Sequence, residues 1–85
     1  MKRILFFEAP WCHACHDPAL VAALEEAERA GVVVERFNVD ERLVLDEYRV
    51  SGLPSLIFKL DGKPVDRVTG AGQATIARIR EFVGG

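Results

Sequence analysis

Apolar runs alternate with polar and glycine-containing breaks along this chain, and the pattern within each run predicts its structure. Residues 3–8 are mostly apolar on both faces, which is typical of a strand in the middle of a sheet covered by helices. The β-branched run 32–39 predicts a second strand. Residues 55–60 and 64–69 predict two more strands, and Asp61-Gly62 between them is a hairpin turn signal.

Helical periodicity fills the long gap between the first two strands. Helix character extends from about Cys12 to Ala30, and Gly31 is a natural C-terminal cap. Pro18 falls inside this stretch and predicts a kink. The alternative is a break, with Asp17 as the N-cap and Pro18 as the first helical residue. The apolar stripe expected to face the core consists of Leu20, Ala23, Leu24 and Ala27.

Two further helices are predicted, a short one at about 41–48 and a last one at 73–83. Val44 and Tyr48 lie one turn apart in the first. The inward residues expected in the second are Ile76, Ile79 and Val83. The element order is therefore βαβαββα, which is an α/β pattern. We expect a four-stranded mixed sheet in the order 2-1-3-4, flanked by helices on both faces.

Length, composition and charge narrow the class of protein. Eighty-five residues with 49% hydrophobic residues predict one domain, 1–85, with a core of its own. The net charge is −2 and there is no basic stripe, so we expect no nucleic-acid partner. The apolar run 4–7 is too short for a secretory signal, and no run approaches a membrane span. We therefore expect a cytoplasmic monomer with no membrane association.

Both cysteines lie in the stretch Trp11-Cys12-His13-Ala14-Cys15-His16, directly after the first strand. The predicted strand-to-helix turn places Cys12 at or near a helix N-terminus, where backbone N–H groups and the helix dipole favour a thiolate. Residues three apart on a helix share a face, so the two sulfurs can close a disulfide. One thiolate attacks a partner's disulfide and the other resolves the mixed disulfide. A CxxC pair in a reducing compartment is more often catalytic or metal-binding than structural.

The same residues admit two other interpretations. The pattern Cys12-x-x-Cys15-His16 matches c-type haem attachment with His16 as the axial ligand, but only Met1 and His13 remain as a second ligand. Two cysteines and two histidines within five residues also suggest a metal, yet so short a segment does not easily wrap a tetrahedral ion. We expect no metal site and no bound cofactor other than the redox-active disulfide.

Four motifs, in this order along the chain, resemble those of thioredoxin-fold proteins. They are Trp11-Cys12-x-x-Cys15, Asn38-Val39-Asp40, the stretch from Tyr48 to Ser55 with Gly52-Leu53-Pro54, and Gly70. The resemblance covers nearly the whole chain and implies a minimal thioredoxin fold. In size the chain is similar to glutaredoxins and to short thioredoxin/glutaredoxin-like proteins.

This resemblance implies a protein-disulfide oxidoreductase with named site residues. Cys12 would be the exposed nucleophile and Cys15 the more buried resolving thiol. Leu53-Pro54 would be a cis peptide bond packed against the cysteines, and the residue before the proline would offer its backbone to an extended substrate. The docking surface would comprise Trp11, Leu53, Gly70 and Ala71. The partners would be disulfide-containing proteins and a reductant, either a flavoprotein of the thioredoxin-reductase type or glutathione.

The sequence departs from thioredoxins at two positions that bear on reactivity. His13-Ala14 replaces the usual Gly-Pro, and a partly protonated His13 would stabilise the Cys12 thiolate. A stabilised reduced form makes the couple more oxidising, so we expect a reduction potential above that of thioredoxin, within the range of about −270 to −180 mV that thioredoxins, glutaredoxins and disulfide isomerases span. Phe6 replaces the buried aspartate of thioredoxins. Glu8 has the same strand parity and is a candidate substitute, although a solvated residue at a strand end is the simpler interpretation.

The choice between thioredoxin and glutaredoxin depends on two features. Trp11 favours a thioredoxin, and the short length favours a glutaredoxin. The turn at 70–75 matches the glutathione-binding turn of glutaredoxins only incompletely and contains no basic residue. The sequence therefore favours a thioredoxin-like protein, with a glutathione-dependent reductase as the alternative.

Overall fold

A computed structural model of the chain describes residues 1–41 and 48–85. Its elements are strand β1 (Lys2–Glu8), a one-turn 3₁₀ helix (Ala14–His16), helix α1 (Pro18–Arg29), strands β2 (Val33–Asn38), β3 (Ser55–Leu60) and β4 (Lys63–Thr69), and helix α2 (Gln73–Gly84). The short helix predicted at about 41–48 falls largely on residues 42–47, which lie outside the described residues.

The four strands form one mixed sheet in the order β2-β1-β3-β4, as the sequence predicts. β1 pairs with β2 in parallel and with β3 in antiparallel orientation, and β3 pairs with β4 as a hairpin. Asp61 and Gly62 both have positive φ, 51° and 85°, which is the turn geometry expected of this dipeptide. Pro64 lies opposite Lys59 on edge strand β4, and an edge strand is where a sheet tolerates proline.

Helices α1 and α2 pack against each other on one face of the sheet. The stripe predicted for α1 is buried there in full: Leu20, Ala23, Leu24 and Ala27. In α2, Ile79 is buried as expected, whereas Ile76 and Val83 are only partly buried. Phe82 was not among the predicted inward residues, yet it is buried and its ring lies 5.1 Å from that of Phe58.

The opposite face of the sheet carries an aromatic cluster. Phe7 stacks on Phe37 at 5.1 Å between ring centroids, and Tyr48 contacts both rings. Tyr48 therefore anchors the chain segment that leads from residue 48 toward β3. Among the described residues, no helix is long and apolar enough to cross a membrane.

One prediction about α1 is wrong, and the alternative to it is confirmed. The α-helix does not begin near Cys12. It begins at Pro18, after the N-cap Asp17, whose carboxylate accepts hydrogen bonds from the backbone N–H groups of Ala19 and Leu20 at 3.1 and 3.2 Å. Proline at the first helical position loses no intrahelical bond, and its fixed φ suits the helix start. Asp17 has a ψ of 126°, so it separates the two helical segments.

Candidate functional site

Strand β1 delivers the cysteine pair to the edge of the sheet where parallel strands β1 and β2 both end. Beyond Glu8 the chain turns sharply, and the backbone N–H of Cys12 donates to the carbonyl of Ala9 at 3.1 Å. Cys12 and Cys15 are joined by a disulfide, with their Cα atoms 5.3 Å apart. The pairing predicted from their spacing is therefore present.

The 3₁₀ helix Ala14–His16 contains Cys15 but not Cys12, and the α-helix begins only later, which changes the electrostatics expected at Cys12. Cys12 lies six residues before Pro18, where α1 begins, so it is outside the first turn near which the α1 dipole acts. The backbone N–H of Cys15 instead lies 3.2 Å from Cys12 Sγ and 3.2 Å from the Cys12 carbonyl oxygen. The Cys12 sulfur therefore has a backbone N–H donor beside it that belongs to the cysteine turn and not to α1.

The two cysteines differ in accessibility. Cys12 is 8% exposed and Cys15 only 1%. The expected order is confirmed, but Cys12 is far more covered than the exposed nucleophile that the sequence predicts. The reason is that Cys12 forms part of the wall of a cleft rather than projecting from the surface.

The cleft beside Cys12 has a volume of about 320 Å³. Its lining is mostly apolar and consists of Trp11, Cys12, Val39, Val50, Ser51, Gly52 and Leu53. Leu53-Pro54 is a cis peptide bond, as the resemblance implies, and Pro54 is buried. The arrangement suits an extended, apolar chain segment with a disulfide at the position of Cys12.

Trp11 forms the open rim of this cleft. Its side chain is 64% exposed, so it is not a core aromatic. The indole Nε1–H donates to Asp40 Oδ1 at 3.0 Å, which holds the ring at the cleft mouth. Asp40 was not among the site residues predicted from the sequence. The parallel pairing of β1 and β2 contained the signal, because residues that follow two paired parallel strands meet at one sheet edge.

Three of the predicted site residues, Gly70, Ala71 and His13, do not line the cleft beside Cys12. The Gly70 N–H donates to the Pro54 carbonyl at 2.8 Å and so contacts the proline loop, but neither Gly70 nor Ala71 lines the cleft. His13 is exposed. Val39, Val50, Ser51 and Gly52 do line the cleft; the sequence analysis quoted them within family motifs without assigning them a role.

Phe6 and Glu8 occupy different environments despite their shared strand parity. Phe6 is 2% exposed and belongs to the core. Glu8 is partly exposed and lines a separate cleft of about 270 Å³ with His16 and Asn38. Within the described residues, no group of three or more His, Cys, Asp or Glu side chains is arranged to hold a metal ion.

Comparison with known proteins identifies the fold and the family. The model of the Thioredoxin family matches residues 2–83. The chain belongs to the thioredoxin family. It is 38% identical over 68 residues to a thioredoxin of Chlamydia caviae, covering 79% of this chain and 67% of that one. It is 34% identical over 74 residues to thioredoxin H5 of Arabidopsis thaliana, covering 86% and 63% respectively.

Solved thioredoxin structures share the architecture. The structure of Fasciola hepatica thioredoxin superposes with a TM-score of 0.78 at 28% identity, covering 98% of this chain and 78% of that one. This family membership, together with the Cys12–Cys15 disulfide, makes the domain a thiol–disulfide oxidoreductase module. The thioredoxin relatives favour the thioredoxin prediction over the glutaredoxin alternative. The chain spans about two thirds of the length of these curated relatives.

Proposed function

We propose that this thioredoxin-family chain reduces disulfide bonds in protein substrates. The observation that carries the proposal is the placement of the Cys12–Cys15 pair, with its less buried sulfur in the wall of an apolar cleft and its partner sulfur behind it. Thioredoxins act on disulfide substrates, and the cleft beside the cis-proline loop fits an extended protein segment.

The reaction takes two exchanges, each conserving atoms and electrons. The Cys12 thiolate attacks one substrate sulfur, forming a mixed disulfide and expelling the other substrate sulfur as a thiolate. The Cys15 thiolate then attacks Cys12 Sγ, which releases the second substrate thiolate and leaves the Cys12–Cys15 disulfide. Overall the substrate disulfide gains two electrons and two protons to become two thiols, and the Cys12 and Cys15 thiols supply both. The Cys15 N–H at Cys12 Sγ favours the thiolate of the attacking sulfur.

Each remaining site residue has a supporting role in this proposal. Leu53 offers its backbone to the substrate beside Pro54, and the exposed Trp11 ring at the rim of the cleft contacts the docked partner. The Gly70 N–H donates to the Pro54 carbonyl, and in this proposal Gly70 and Ala71 contact the partner beside the proline loop. His13, exposed one residue after the nucleophile, stabilises the Cys12 thiolate when protonated and makes the couple more oxidising.

The electron donor that we propose is a flavoprotein of the thioredoxin-reductase type. The supporting observations are the thioredoxin relatives and the exposed Trp11 beside the disulfide. We also propose that the protein works as a monomer in the cytoplasm, since a CxxC pair cycles between its two states where a reducing system is present. No further cofactor enters the reaction.

The test is insulin-disulfide reduction with three electron sources in parallel: a thioredoxin-reductase system, a glutathione system and dithiothreitol. We expect turnover with the reductase and with dithiothreitol. Turnover with glutathione in place of the reductase contradicts the proposed donor and makes the turn at 70–75 the next target. Absence of turnover with all three sources contradicts the proposed function itself. The Cys12→Ser variant serves as the inactive control.

A further inference from the structure

An arginine on edge strand β4 is bonded to the start of the cleft loop. Arg67 Nη2 donates to the carbonyl of Tyr48 at 2.6 Å, and Arg67 Nη1 donates to the carbonyl of Arg49 at 3.0 Å. One guanidinium therefore bonds two consecutive carbonyls, one to each terminal nitrogen of its rigid planar fork. Both carbonyls precede the residues that line the cleft beside Cys12.

The turn that Arg67 holds has a backbone conformation that needs support. Arg49 has a φ of +55°, in the left-handed region that residues other than glycine rarely adopt. Such a conformation persists where the surrounding structure determines it. Among the described residues, the Tyr48 ring packs in the aromatic cluster with Phe7, and Arg67 holds the backbone carbonyls of Tyr48 and Arg49.

The far end of the same loop is also tied. The Ser55 hydroxyl donates to the Gly52 carbonyl at 2.5 Å, and a Cβ built on Gly52 would lie 3.2 Å from Thr69 Cγ2. Residues 50–53, which line the cleft, thus lie between two sets of hydrogen bonds, those of Arg67 before them and that of Ser55 after them. The attachment at 55 lies within the loop's own strand. The attachment at Arg67 comes from β4, across the hairpin, and Arg67 itself does not line the cleft.

We propose that Arg67 is a positioning residue: its two hydrogen bonds fix the position of residues 50–53 relative to Cys12, and these residues then bind the protein substrate. This inference rests on the proposed function. Arg67 acts only through the loop, so its loss weakens docking of an extended chain and leaves the chemistry of the sulfurs unchanged. A small disulfide needs no loop backbone, whereas a protein disulfide does.

The test compares Arg67→Met with Arg67→Lys in two assays of the reduced protein. One follows reduction of insulin disulfides and the other reduction of a small aromatic disulfide, dithiobis(nitrobenzoate). The matched control is Arg36→Met, since Arg36 is an exposed strand arginine on β2 whose partner is Glu28 at 3.2 Å. All variants are assayed well below their unfolding temperatures. Amide hydrogen exchange of residues 50–53 is measured in parallel.

We expect Arg67→Met to raise KM for insulin about fivefold, the equivalent of one net hydrogen bond, with kcat and the small-disulfide rate unchanged. Exchange of the 50–53 amides should accelerate, and Arg67→Lys should restore only part of the loss because the lysine ammonium is a point donor on a flexible stem and lacks the fixed fork of the guanidinium. Arg36→Met should match the wild type.

Three results overturn the inference: an unchanged KM in Arg67→Met, an equal fall of both rates, or full rescue by lysine. Failure of the proposed function looks different. In that case the wild type itself does not reduce insulin, while the hydrogen exchange of residues 50–53 still reports whether Arg67 fixes the loop. Unchanged exchange in Arg67→Met then overturns the inference independently of any activity.

Discussion

The break between the cysteine turn and helix α1 makes a sharp prediction at Asp17. Its carboxylate accepts from two of the backbone N–H groups that have no partner within the helix, those of Ala19 and Leu20. Asp17→Ala removes both acceptors. Loss of an N-cap side chain costs about 1 kcal/mol, within a range of about 0.5–2. In a domain of this size that loss corresponds to a fall in Tm of about 4–8 °C.

The sign of the effect discriminates between the two helix geometries. If one continuous helix extended from Cys12, Asp17 would occupy an interior position, and alanine there would stabilise the helix by its higher propensity. With Asp17 as the cap, alanine destabilises the protein. Asp17→Asn is the matched control, because its amide oxygen keeps an acceptor at the cap and should cost only a few tenths of a kcal/mol.

The assay is urea unfolding of the oxidised protein, followed by circular dichroism. We expect the Asp17→Ala midpoint to fall with an unchanged slope, which identifies a change of stability rather than of compactness. A free energy of unfolding equal to or above that of the wild type would refute the capping argument. So would an equal loss in Asp17→Asn, since the acceptor survives in that variant.

Three further predictions test the packing, an ion pair and a turn. Leu20→Ala should lower the free energy of unfolding by about 2–5 kcal/mol in urea, because Leu20 is fully buried; a loss below about 1 kcal/mol contradicts its core position. The Arg78 side chain, aided by a backbone N–H, holds the pKa of Asp66 below its ordinary 3.8, so the pair stabilises the protein above the unfolded pKa and loses that effect as pH falls through the folded pKa. Asp66→Asn should therefore be less stable than the wild type at pH 6, by under about 1 kcal/mol since the carboxylate is partly exposed. In strong acid the two proteins should be equally stable. A stability difference that does not change with pH counts against this ion pair. Gly31→Ala should lower the free energy of unfolding by about 1–2 kcal/mol, because Gly31 has a φ of +96° and no neighbouring atom that a methyl group would meet. Gly84→Ala, which also enters open space but without a positive φ, should leave stability unchanged. Equal melting temperatures for the two variants would contradict the backbone argument.

The strands and their order were predictable because they depend on local patterns. The apolar run of β1 and the β-branched run of β2 indicate buried strands, and Asp61-Gly62 supplies the positive φ values that its hairpin turn requires. Together with the first crossover, these patterns leave few possible sheet orders, and the predicted one is observed. The cysteine pairing was predictable for the same reason, since both thiols lie within one turn of chain.

The features that the sequence analysis missed depend on contacts between distant residues or on small local energies. Pro18 suits both a kinked helix and a helix start, and the side-chain cap from Asp17 decides between them. The Trp11–Asp40 hydrogen bond and the Arg67 bonds to the cleft loop join residues far apart in sequence. Neither follows from periodicity, and each requires the strand register to be known. The burial of Cys12 likewise follows from the cleft around it.

Covalent trapping tests most directly whether Cys12 attacks the substrate disulfide and Cys15 resolves the mixed disulfide. The reduced Cys15→Ser and Cys12→Ser variants are each mixed with oxidised insulin, quenched with acid and weighed intact by mass spectrometry. The account predicts a mixed disulfide with Cys15→Ser, because Cys12 attacks and no resolving thiol follows, and little or none with Cys12→Ser, whose remaining thiol is 1% exposed in the disulfide form. Equal trapping by both variants, or trapping by Cys12→Ser alone, would contradict it.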